Sequence, residues 1–157
     1  AGANLDLQCN GKYMEKISAL MLAILKGHTE VADQLISAGA SLDLQDERGY
    51  SALILSSANG HAKVVANLIS AGANLNIQDK NGSSALIATS EMNSHTEIAD
   101  KLISAGANLN MQDQTGLSAL HYAISRNHTE VAHKLISAGT MLDLQGKCKN
   151  SALIGAS

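Results

Sequence analysis

The chain has 157 residues, enough for one domain with its own core, and carries a formal net charge of −3. That charge argues against a general nucleic-acid or anionic-membrane binder, and no apolar run approaches the roughly 20 residues a membrane span needs. There is no Pro, Phe or Trp and only three Tyr, so the core must be built from Leu, Ile, Val and Ala.

Residues 1–8 read AGANLDLQ and match AGANLNIQ at 71–78, so they form the tail of a unit whose body is missing. From there one unit recurs. The triplet Ser-Ala-Leu begins at Ser18, Ser51, Ser84, Ser118 and Ser151, and Ile-Ser-Ala-Gly begins at Ile36, Ile69, Ile103 and Ile136, in steps of 33 or 34 residues. A fixed period in this range marks a stacked repeat architecture. The expectation is a single domain with full units at 9–45, 46–78, 79–112 and 113–145 and partial units at 1–8 and 146–157. With no initiator Met and no polar capping unit at either end, the chain reads as a fragment of a longer array.

The first full unit carries four extra residues before Ser18, which places an insertion around Cys9–Lys16 in a loop, where length costs little. The second shows the pattern most clearly. Ser51 is a candidate N-cap, and a short helix runs from Ala52 to near Asn59. Gly60 then suits a left-handed residue past a helix end. A second helix is expected over Ala62–Ala71, with Val64, Val65, Leu68 and Ile69 on one apolar stripe, and Gly72 stops it. Leu75–Gln78 should run extended, and Asp79-Lys80-Asn81-Gly82 reads as a turn. The third unit has one residue more between its helices, with Glu91-Met92-Asn93-Ser94 replacing the Gly-ended turn, so a local distortion is expected there. In the fourth, Asn127 takes the left-handed slot.

Asp-x-x-Gly-x-Ser-Ala-Leu, then Gly-His-x-x-Val-Val, then Gly-Ala-Asn-Leu-Asn resemble the ankyrin repeat. Four tandem matches at one period make the resemblance specific, and it covers essentially the whole chain. It implies an all-α ankyrin-repeat solenoid of stacked helix-turn-helix units with extended finger loops. The family's Thr-Pro-Leu-His opening is here Ser-Ala-Leu-Ile, Ser-Ala-Leu-Met or, at His121, Ser-Ala-Leu-His. Ala52, Ala85, Ala119 and Ala152 replace the Pro, and Ile54 and Ile87 replace a His that ties neighbouring repeats in the family. Fewer polar ties between units are therefore expected, with more stability resting on aliphatic burial.

Catalytic signatures are missing. His28, His61, His95 and His128 share one slot, so a stack spaces them about 10 Å apart, too far to share a metal; they read as turn residues. His121 and His133 fall on a first and a second helix. Cys148, between Lys147 and Lys149, could have a lowered thiol pKa, yet no base accompanies it. Cys9 and Cys148 stand about four stacking steps apart, roughly 40 Å, which excludes a bridge and fits a reducing, cytoplasmic location. The sequons at Asn81 and Asn127 follow from the repeat. There is no phosphate-cradling loop and no paired acid–base signature, so the expectation is no enzyme, no cofactor, no metal and no small-molecule substrate. The resemblance places Asn76 and Asn110 in a finger slot that Asn hydroxylases modify in some members.

Comparing the repeats with each other separates fixed from free slots. Leu35, Leu68, Leu102 and Leu135 do not vary, as packing would require. The finger tips do: Glu47, Arg48 and Tyr50; Lys80, Asn81 and Ser83; Gln114, Thr115 and Leu117. So do the ends of the first helices: Lys26; Asn59; Glu91 and Met92; Ser125 and Arg126. The resemblance implies that such slots line a concave groove that grips a partner protein. Tyr50 is the expected anchor, and the cations Lys26, Arg48, Lys80 and Arg126 hint at an acidic partner segment. The competing readings are a structural spacer and a targeting arm of a larger protein, possibly an enzyme.

Overall fold

The computed structural model describes residues 5–6, 8–11, 14–92 and 95–146. Two short strands, β1 (Gln8–Gly11) and β2 (Met14–Ser18), precede four helix pairs. The first helices are α1 (Ala19–Leu25), α3 (Ala52–Ala58), α5 (Ala85–Glu91) and α7 (Ala119–Ser125). The second helices are α2 (Thr29–Ser37), α4 (Ala62–Ser70), α6 (Thr96–Ser104) and α8 (Thr129–Ser137). Each first helix packs on the next first helix and each second helix on the next second helix, which is a stack of helix-turn-helix units.

The repeated serine starts each first helix. Ser18, Ser51 and Ser84 accept the N–H of Met21, Ile54 and Ile87 at 3.3 Å, satisfying one orphan donor of the first turn. At Ser118 the cap differs: its N–H donates to His121 Nδ1 at 3.2 Å. Gly60 and Asn127 leave α3 and α7 in the left-handed conformation, with φ of +77° and +60°. After α5, Met92 is instead extended, with ψ 157°, so the longer joint does depart from its neighbours; residues 93 and 94 lie outside the described set.

The core is one continuous cluster along the stack, with Leu20, Leu53, Leu68, Leu86, Leu102 and Leu135 fully buried. It is not purely aliphatic. Ser56, Thr89 and Ser90 are also buried in α3 and α5, and each hydroxyl donates back to its own helix, on Leu53, Ala85 and Leu86 carbonyls at 2.8–3.1 Å.

Three expectations need correction. The insertion in the first unit is an antiparallel hairpin, β1 on β2, because its length lets the finger close its own ladder. Leu75–Asn76 turn rather than run extended, since the Asn76 N–H closes on Asn74 Oδ1 at 3.0 Å. Polar ties between units are also plentiful despite Ile54 and Ile87. Gln45, Gln78 and Gln112 each donate Nε2 to the carbonyl 33 or 34 residues on, at 3.0–3.2 Å, and to their own finger's glycine carbonyl. Asp43, Asn76 and Asn110 accept the N–H of Asn74, Asn108 and Met141 at 2.7–2.9 Å. His61 reaches the Ile24 carbonyl at 3.2 Å and His128 the Ser90 carbonyl at 3.0 Å, so these turn histidines also link successive repeats.

Candidate binding groove

Each finger is shaped by one aspartate. Asp46 Oδ1 accepts the N–H of Arg48 and Tyr50, Asp79 Oδ1 that of Asn81 and Ser83, and Asp113 Oδ1 that of Thr115 and Leu117, all at 2.7–2.9 Å. The carboxylate so closes the turn on itself. Successive fingers then pair through their backbones: Lys80 N donates to Arg48 O at 2.9 Å and Gln114 N to Asn81 O at 2.8 Å. Gly82 is required twice over. Its φ is +82°, and a Cβ there would sit 2.9 Å from the Asp113 Cα of the next finger.

Between these fingers and α3, α5 and α7 lies a groove of about 490 Å³. Its apolar side is Ile54, Leu55, Ala58, Ala88 and Met92, and its polar side includes Asp79, Asp113 and Glu91. Of the sequence-derived candidates, Tyr50, Asn81, Ser83, Glu91, Met92, Gln114 and Thr115 line it. Lys26, Glu47, Arg48 and Lys80 are exposed but are not in the lining. Asn59 turns its side-chain amide back to the Leu55 carbonyl at 2.7 Å, and Ser125 donates to the Tyr122 carbonyl at 3.1 Å. Leu117 is half-buried beside its finger. Arg126 pairs with Glu91 at 3.4 Å.

The expected cationic groove is therefore corrected. Among the described lining residues the charged groups are carboxylates, because the finger aspartates point their side chains inward while Arg48 and Lys80 stand at the exposed tips.

Asp79, Asp113, Ala88 and Tyr122 were not singled out from the sequence. Tyr122 donates its hydroxyl to Asp113 Oδ2 at 2.6 Å, and Thr115 Oγ1 donates to Asp113 Oδ1 at 2.6 Å. Burial pushes the Asp113 pKa up, but hydrogen bonds from Thr115, Tyr122 and the Leu117 and Thr115 N–H groups outweigh it and hold the carboxyl below its ordinary value. Burial, the bond to Asp113 and the charges of Asp113 and Glu91 push the Tyr122 phenol up to about 12. A signal for this pair was present: the slot nine residues after each finger aspartate reads Leu55, Ala88 and Tyr122. Comparing only finger tips and helix ends passes over it.

Asn76 and Asn110 sit outside the groove with their side-chain oxygens committed to the next repeat. Among the described residues no three His, Cys, Asp or Glu side chains converge on a common point, and no helix is long and apolar enough to cross a membrane. The Cys9 side chain and Cys148 lie outside the described residues.

The family description "Ankyrin repeats (3 copies)" matches residues 1–79 and again residues 56–146. The chain belongs to the ankyrin-repeat family. Ankyrin repeats generally serve as protein–protein interaction modules, and such domains are typically non-catalytic. Among curated proteins, none matches the chain.

Proposed function

We propose that this chain is a non-catalytic, cytoplasmic interaction module that grips a partner protein in the groove between its finger tips and its first helices. The carrying observation is the groove itself: about 490 Å³, apolar on the helix side and carboxylate-bearing on the finger side, set on backbone-paired fingers. A surface held this rigidly has little ordering entropy left to lose when a partner arrives. Apolar contact supplies affinity there and the carboxylates supply discrimination.

Lysine placement gives the test. Lys26 and Lys80 stand at a first-helix end and a finger tip, while Lys63, Lys101 and Lys134 stand on the second helices. Amine crosslinking to partners in native lysate, read by mass spectrometry, should place crosslinks on Lys26 and Lys80. Tyr50→Ala with Met92→Ala should remove those partners. Crosslinks confined to Lys63, Lys101 and Lys134, or partners indifferent to the double variant, would overturn the reading in favour of a spacer or an outer-face contact.

A further inference from the structure

The groove owes its volume to a side chain that is absent from one repeat and present in the next. Nine residues after each finger aspartate comes a side chain of the following first helix: Leu55 after Asp46, Ala88 after Asp79, Tyr122 after Asp113. In the last case the ring lies beside its finger and the hydroxyl donates to Asp113 Oδ2 at 2.6 Å. In the middle case the side chain stops at Cβ, and both Ala88 and Asp79 face the opening. Asp79 is only 8% exposed. Its Oδ1 takes the Asn81 and Ser83 N–H groups, and among the described residues no group donates to Oδ2. Among the described residues Ser57 Oγ is the buried side-chain polar atom left without a partner, so Asp79 Oδ2 keeps access to solvent through the groove, and a ligand hydroxyl that replaces water there makes a charge-assisted hydrogen bond.

We infer that the groove accepts a tyrosine side chain of the partner, seated over Ala88 with its hydroxyl donating to Asp79 Oδ2. The inference rests on the groove reading above and narrows it to one side chain. The pairing of Tyr122 with Asp113 is its template within the same chain. Leu55, Ala88 and Met92 offer the ring apolar and thioether contact, and Tyr50 offers an aromatic edge. Asp79, Glu91 and Asp113 would repel a phosphate, so phosphorylation of the partner's tyrosine blocks entry.

The test selects binders to the whole chain from a random peptide library, then compares each selected peptide with its Tyr→Phe and phosphotyrosine forms. Selected peptides should share a tyrosine. Loss of its hydroxyl should weaken binding by about tenfold or more, as for a site built to pair a hydroxyl, and the phosphorylated form should not bind. Ala88→Tyr, which fills the opening with the chain's own phenol, should abolish binding while circular dichroism shows the fold retained. Should that variant not fold, Asp79→Asn decides: it must bring the Tyr and Phe peptides to within about twofold of each other. Peptides lacking tyrosine that still depend on Tyr50 and Met92 would overturn this inference and leave the groove reading standing. Selection of no groove-dependent peptide would overturn both. Saturable binding of free p-cresol without any tyrosine preference among peptides would assign the site to a small phenol and overturn the partner assignment.

Discussion

Tyr122 and Asp113 show how one residue pair sets a local pH window. The folded state raises the phenol from 10.0 to about 12, so the stability this pair contributes is full below pH 10 and is lost as pH climbs towards 12. Asp113 is shifted downward, so its share is present above the ordinary carboxylate range and is lost as pH falls through its lowered folded value. Absorbance titration at the tyrosinate band should show a step near pH 12 that Tyr122→Phe removes. The same variant should unfold at lower denaturant near neutral pH and show a flatter stability profile in alkali. An unchanged alkaline profile would contradict the hydrogen bond to Asp113. None of this could be read from Tyr122 alone, because the partner lies nine residues back and only the fold of the unit's own finger against α7 brings them together.

The second helices carry the least ambiguous packing. Leu68 and Leu102 are fully buried on α4 and α6, where each helix is covered by one before and one after it. Leu68→Ala or Leu102→Ala should cost about 2–5 kcal/mol, the range for deleting a buried Leu side chain. Equilibrium denaturation measures it, and a loss within about 0.5 kcal/mol would contradict the packing. On the same row Lys63 meets Asp33 and Lys134 meets Asp100, both at 2.7 Å. These are largely solvated pairs and add less than the leucines do. Helix starts and stops were legible because Ser, Gly and Asn act on their own turn: Ser51, Gly60 and Asn127 each do what their chemistry dictates. The ladders of Gln78 and Asn76 were not legible, because each partner lies a full repeat away. For the same reason seven groove residues could be read as variable finger or helix-end slots, whereas Asp79 and Ala88 required the finger to be seen folded over the helix.

At the scale of the whole stack, α4 and α6 each pack between two second helices, whereas among the described residues α2 and α8 each pack on one. On the first helices Ile24, Ser57 and Ser90, which share one slot, are fully buried under the first helix that follows. Protection should therefore be graded along the chain. Amide hydrogen exchange followed by mass spectrometry should find α4 and α6 slowest and α8 faster by about tenfold or more. Uniform exchange from α1 to α8 would instead indicate one all-or-none unit.

The finger turn has a chemical consequence too. Asn81-Gly82 is a dipeptide prone to lose ammonia, because the glycine nitrogen can attack the preceding side-chain amide and close a succinimide. Here that nitrogen is tied to the Asp79 carbonyl at 2.9 Å. The molecule thus carries a slow clock at its finger tip, wound by the fold and released whenever the turn opens, so the fraction deamidated at Asn81, resolved by peptide mapping from Asn10-Gly11 and Asn59-Gly60, records how long that turn has spent undone.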